Sequence, residues 1–187
     1  MADLATVAAC LVLGANPSLI GAIIEVESQW NESAFNVNKW DGADYQNDSI
    51  PHAAAAAKVF IENGYTVDVG LMQINSVNLK KYEVTVLDAF DVCTNVRLGE
   101  KILMSAIEKA NRKGASGDIA IKKALSVYNT GNESFGFENG YVDKVWSVFY
   151  HRGDHASLFS ETEVDMAVNT DMFDYTPSLA IDIKGDE

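Results

Sequence analysis

Basic residues are scarce in this chain. Fourteen lysines and arginines face 27 aspartates and glutamates, a formal net charge of −13 over 187 residues. Binding nucleic acid in general needs a basic surface to meet phosphates, so that class is excluded, whereas a neutral ligand is not. Histidine is equally scarce. His52, His151 and His155 have no evident serine or cysteine partner, which leaves no nucleophile–histidine centre. The two cysteines, Cys10 and Cys93, are too few to build a structural zinc site alone. They are either a disulfide, which implies an oxidising compartment, or two buried thiols. No metal-ligand cluster and no phosphate-binding glycine loop is evident, so neither a metal nor a cofactor is expected. Long apolar runs are missing too, and none approaches the length of a membrane span. Residues 4–15 are apolar but short, and Asp3 stands where a secretory leader carries basic residues. Val7-Ala8-Ala9-Cys10 has the form of a lipoprotein cleavage box, but the stretch before it is too short for a working leader.

What remains is an ordinary globular composition. The hydrophobic fraction of 48% suits one core, and the length suits one domain with or without a tail. Along the chain, residues 4–14 read as a short helix. Asn16-Pro17 then forms a cap followed by proline at the first helical position, opening a helix expected to stop near Trp30 and Asn31. Residues 36–51 are polar and turn-rich, a loop framing one side of a groove. Asp41, Asp44 and Asp48 in it lack calcium-loop spacing and read as solvated. An alanine-rich helix over 52–63 ends at Gly64. Residues 65–75 break helical periodicity and read as extended or hairpin-like. Further helices are expected over 94–112, 118–128 and 141–150, with a glycine- and asparagine-rich loop over 129–140. The expected class is mainly α, with a small extended segment around 65–75 and a groove. The periodicity fades from about Gly153. The domain is therefore assigned to 1–153, and 154–187 to an acidic, mobile tail.

One helix carries an acid where a core residue belongs. With residues spaced about 100° apart, Ile20, Ile23, Ile24 and Trp30 all lie within roughly 60° of Glu27. Glu25 lies roughly 160° away and reads as solvated. A carboxylate on the apolar side is either satisfied by a cation or by backbone, or is kept un-ionised for chemistry. Arg97 or a lysine in a closed pocket would favour the first.

Three separated stretches place polar side chains beside chain breaks, where clefts form. They are Glu27-Ser28, then Gly70-Leu71-Met72-Gln73-Ile74-Asn75, then Tyr128-Asn129. A lone carboxylate among amides and aromatics suits carbohydrate binding and cleavage of a glycosidic bond. Trp30 and Trp146 read as core; Trp40, in the polar loop, is the more plausible of the three as an exposed sugar contact.

The ordered motifs E-S-x-W-x-x-x-A-F, G-L-M-Q-I-N, A-L-S-x-Y-N-T-G-N and N-G-Y-V-D-K-V-W resemble the lytic transglycosylases of the lysozyme-like superfamily. The likeness covers about residues 7–150 and is greatest to type IV secretion, conjugation and related phage members. It implies an α+β lysozyme-like fold and a catalytic role for Glu27, supported by Ser28. It further implies saccharide contacts from Met72 packed under a sugar, from Gln73 and Asn75, and from Tyr128, Asn129 and Tyr141 around the groove. It also puts Cys10 and Cys93 at positions that often form a disulfide.

The implied substrate is the glycan of peptidoglycan, cut between N-acetylmuramic acid and N-acetylglucosamine with a 1,6-anhydro end. The implied setting is the periplasm, the cell envelope or a virion, with secretion, conjugation or virion components met through the tail. Asn75 stands where some goose-type lysozymes have aspartate, which favours transglycosylation; Asp68 nearby keeps hydrolysis open. Wall binding without turnover is the remaining alternative.

Overall fold

The computed structural model describes residues 2–40 and 49–151. The acids Asp41, Asp44 and Asp48, and the acidic segment 154–187, lie outside the described residues.

Eight helices and one small sheet are described. Helix α1 spans Leu4–Cys10 and is capped by Asp3, whose side chain accepts the Thr6 N–H. It ends earlier than the apolar run implies, because Leu11 is already extended. Helix α2 spans Pro17–Ser28. The Asn16 side chain accepts the N–H groups of Ser18 and Leu19, and Pro17 occupies the first turn, where its missing N–H costs nothing. The helix stops two residues before the expected point. Gln29 (φ 51°) and Trp30 (φ 64°) both enter the left-handed region, and the chain turns away.

The sheet is antiparallel in the order β1 (Phe35–Val37), β2 (Val67–Val69), β3 (Ile74–Asn75). Strand β1 lies in a stretch expected to be all loop; the alternation of Phe35, Asn36 and Val37 is its signal. In β2, Val67 and Val69 are fully buried while Asp68 points to the opposite face. The register puts Asn36 and Asn75 on either side of Asp68, so one polar row crosses the sheet.

Helix α3 (Ile50–Glu62) packs its small alanine face, Ala53, Ala54 and Ala57, on this sheet. Helices α4 (Ser76–Lys81), α5 (Val92–Arg112) and α6 (Gly117–Thr130) follow, with a 3-10 turn at Asp88–Phe90 before α5. Helix α7 (Phe135–Glu138) is a single turn inside the glycine-rich stretch expected to be loop, and α8 (Tyr141–His151) closes the bundle. The fold is mainly helical with a small sheet, as expected.

Two long-range ties hold the N-terminal segment to α5. Cys10 and Cys93 form a disulfide with Cα atoms 5.0 Å apart. Glu100, fully buried, accepts the N–H groups of Val12 at 2.9 Å, Leu13 at 2.9 Å and Ala15 at 3.1 Å. A carboxylate with three N–H donors is well compensated in the interior, so Glu100 is an anchor for the α1–α2 connection.

Candidate active site

A cleft of about 570 Å³ lies between α2, the sheet and the end of α6. Glu27, Ser28, Gln73, Asn75, Tyr128 and Asn129 line it, so six of the eight expected site residues are brought to one cavity. Tyr141 reaches the site from behind, through the carboxyl of Glu27. Met72 does not reach it.

Glu27 sits in the last turn of α2, where the left-handed break at Gln29 opens the helix end to the cleft. Its Oε1 accepts a 2.6 Å hydrogen bond from the hydroxyl of Tyr141 on α8. Burial raises its pKa to about 7; the Tyr141 hydrogen bond opposes the rise and the charge of Asp68 adds to it. No ion pair to Glu27 occurs among the described residues, and Arg97 instead donates Nε–H to the carbonyl of Cys10 at 3.1 Å. The cationic-partner explanation of this acid therefore finds no support. Glu25, on the far side of the helix, is not merely solvated: its Oε2 accepts the indole N–H of Trp30 at 2.7 Å.

Ser28 is buried and donates its hydroxyl to the Ile24 carbonyl at 3.1 Å, tightening the last turn beneath Glu27. Tyr141 is buried, and its own pKa is driven well above the ordinary value, first by burial and then by the charge of Glu27. It remains a neutral hydrogen-bond donor at any physiological pH.

The turn from Gly70 to Gln73 is built by backbone demands. Gly70 adopts φ +74°, and a Cβ there would lie 2.3 Å from Nδ2 of Asn95, so only glycine fits. Asn95, on α5, grips the turn with three bonds. Its Nδ2 donates to the carbonyls of Val69 (2.9 Å) and Ala89 (2.8 Å), and its Oδ1 accepts Met72 N–H (2.8 Å). Gln73 Nε2 donates to the carbonyls of Ala34 (3.2 Å) and Gly70 (2.9 Å). The amide donor expected to meet substrate is therefore spent on the turn.

Met72 is a correction. Its side chain is 0% exposed and packs on Gly99 of α5, where any Cβ would lie 2.3 Å from the sulfur. It cannot lie under a sugar, and its contribution is its carbonyl, which accepts the Tyr128 hydroxyl at 2.7 Å. The turn carries Met72 into the core, with its N–H held by Asn95 and its side chain against Gly99, while Gln73 lines the cleft. Trp40 was only the more plausible sugar contact among the tryptophans. It is 43% exposed but sits edge-on to Phe60 and Tyr65, with centroids 5.2 and 5.6 Å away, and does not line the cleft.

Asn75 caps α4, its Oδ1 accepting Val77 N–H at 3.0 Å, while its Nδ2 donates to Asp68 Oδ1 at 2.7 Å. Asn38 Nδ2 donates to the other oxygen of Asp68 at 3.0 Å. Asp68 is thus a second, part-buried acid in the cleft, held in a fork of two amides. Burial raises its pKa, and the two amide bonds work against the rise. It was expected only as the residue that keeps hydrolysis open, and Asn36, Asn38 and Asn78 were not among the expected site residues. The Val-Asp-Val alternation of β2 was the available signal for Asp68. Asn129 Oδ1 accepts Asn139 Nδ2 at 2.9 Å, linking α6 to the start of α8.

A mainly helical domain with a small antiparallel sheet, and a glutamate at a helix end facing an open polar cleft, has the architecture of the lysozyme-like class. Within it, the chain belongs to the transglycosylase SLT domain family, whose model matches residues 8–145. It is 34% identical to Protein virB1 of Agrobacterium fabrum over 130 residues, covering 69% of this chain and 52% of that protein. It is 33% identical to the type IV secretion system protein virB1 of Brucella abortus over 135 residues, 69% of this chain and 56% of that one. Protein virB1 of Rhizobium radiobacter is 34% identical over 161 residues, 80% and 65%. The chain thus spans little more than half the length of the first two relatives. No solved structure matches it. No described helix is long and apolar enough to cross a membrane.

Proposed function

We propose that the chain is a lytic transglycosylase acting on the glycan strands of peptidoglycan, with Glu27 as its single acid–base group. The observation that carries this reading is the Glu27 carboxyl, with a pKa of about 7, facing an open cleft of about 570 Å³. Near neutral pH such a group is populated in both forms, as a residue that gives and then takes a proton requires.

Protonated Glu27 gives its proton to the glycosidic oxygen as the bond to C1 of N-acetylmuramic acid breaks, and N-acetylglucosamine departs as an alcohol. The Glu27 carboxylate then takes the proton of the muramic acid C6 hydroxyl as O6 closes on C1. The products are a 1,6-anhydro end and a reprotonated Glu27, and no water is consumed. Tyr141 steadies the carboxylate formed midway.

Hydrolysis is the second reading, and Asp68 favours it. A second carboxyl in the same cleft is what a water-activating design needs. Its two amide partners and its raised pKa support a fixed, structural acid instead.

The family of the relatives supports a setting in type IV secretion, with catalysis in the periplasm or cell envelope by a unit of about residues 1–153. Purified sacculi test the whole proposal. The wild-type chain releases muropeptides with anhydro ends, read by mass spectrometry, and Glu27→Gln releases none while keeping its fold. Activity retained in Glu27→Gln overturns the assignment, and reducing ends turn it to hydrolysis.

A further inference from the structure

Asn139 sits between α7 and α8, and the two ends of its side chain are spent on different elements. Its Oδ1 accepts the backbone N–H of Tyr141, the first residue of α8, at 2.9 Å. Its Nδ2 donates to Oδ1 of Asn129, near the end of α6, at 2.9 Å. Asn129 lines the cleft, and the hydroxyl of Tyr141 holds Glu27. One amide thus touches two residues of the site without lining the cleft itself.

Both asparagines are exposed, where water competes for a hydrogen bond, so the pair needs support from the backbone beneath it. Helix α7 supplies that support. Gly136 packs against Ser126 of α6, where a Cβ would lie 2.5 Å from the Ser126 Cα, so no larger residue fits. The Ser126 hydroxyl accepts Gly136 N–H at 2.8 Å and donates to the Asn132 carbonyl at 2.6 Å. Asn139 closes α7, its N–H donating to the Phe135 carbonyl at 3.0 Å. Ser126 and Asn129 neighbour each other on α6, so the clamp at Ser126 also sets where Asn139 stands relative to Asn129.

Donor logic then fixes both amides. A backbone N–H only donates, so the end of Asn139 that faces Tyr141 is its oxygen. Its NH₂ is left for Asn129, which must answer with oxygen, and the Asn129 NH₂ is turned the other way. We propose that Asn139 is a positioning residue that locks Asn129 with its NH₂ toward the cleft, as a donor to a glycan oxygen that has no proton of its own: a ring, glycosidic or carbonyl oxygen. The proposal rests on the saccharide reading of this cleft. A sugar hydroxyl both gives and accepts, so it pairs with either end of a freely turning amide. Locking the amide gains something only for an oxygen that can do nothing but accept.

Asn139→Asp separates this role from support of the fold. The carboxylate still accepts the Tyr141 N–H at the start of α8, where negative charge is favourable, so Tm is expected to hold. It cannot donate to Asn129, whose amide must turn its NH₂ to the new carboxylate and its oxygen to the cleft. Steady-state cleavage of solubilised glycan strands is then expected to show KM raised about tenfold with kcat little changed. Asn129→Ala should raise KM by a similar factor, and Asn139→Asp should add nothing in that background, whereas an effect of the added charge on Glu27 would persist there. Should the aspartate variant not fold, Asn139→Ser, which caps the helix but is too short to reach Asn129, must raise KM, and only while Asn129 is present. Unchanged KM, or a rise that persists with Asn129→Ala, overturns the proposal and leaves the cleft's assignment intact. If the wild-type chain cleaves no glycan strands, the saccharide reading falls and the proposal falls with it.

Discussion

The hydroxyl of Tyr141 donates a 2.6 Å hydrogen bond to Oε1 of Glu27, joining residues 114 positions apart. It favours the ionised carboxylate, against burial and the charge of Asp68, which favour the acid. The pKa of about 7 is the balance of the three. Glu100 accepts three backbone N–H groups, whereas among the described residues the Tyr141 hydroxyl is the one group shown donating to Glu27.

Tyr141→Phe removes the one contact that lowers the Glu27 pKa. The alkaline limb of the pH–rate profile is expected to move above about pH 7, since Glu27 stays protonated longer. Losing the orienting bond should also reduce kcat by about tenfold. A profile measured on solubilised glycan strands checks both, and an unmoved limb would show that the phenol does not tune the acid.

Asp68→Asn acts in the opposite direction. It deletes the negative charge that helps hold Glu27 protonated, so the alkaline limb is expected to move to lower pH. The anhydro ends should persist in the product. If they persist and the limb shifts down, Asp68 is an electrostatic neighbour; if cleavage stops altogether, it takes part in the reaction.

Glu27→Gln should change how stability depends on pH. The unfolded carboxyl releases its proton near 4.5 and the folded one near 7. Below 4.5 both states are protonated and the site carries no ionisation penalty. Between about 4.5 and 7 the unfolded chain binds fewer protons than the folded one, so the wild type loses stability as pH rises. Relative to Glu27→Gln, that loss reaches about 3 kcal/mol above pH 7. Urea unfolding of both proteins at pH 4 and pH 8 measures it, and a constant difference would refute the raised pKa.

Reduction of Cys10–Cys93 should destabilise the fold strongly. The bridge joins residues 83 apart, and closing a loop of that length in the unfolded chain is worth about 4 kcal/mol. The paired Cys10→Ser, Cys93→Ser variant should therefore melt well below the oxidised wild type. Differential scanning calorimetry with and without reductant gives the comparison.

Much of the site was legible because it is local. Helical phase separates Glu27 from Glu25 within two residues, and Asn16-Pro17 announces the helix that carries them. The Gly70–Asn75 motif marks a turn because a glycine there answers a backbone need. Strand β1 and helix α7 were missed for a related reason: three or four residues give too short a period to stand out in a polar stretch.

The chain alone therefore determined that one acid lies on the wrong face of a helix, and that three polar breaks accompany it. Packing decided everything that depends on distance between elements. It brought Tyr141 onto Glu27, set Asp68 between Asn38 and Asn75, and turned Met72 into the core against Gly99. Local periodicity assigns a side chain to a face. What waits across that face, a phenol for Glu27 or three N–H groups for Glu100, depends on elements that meet only when the chain is folded.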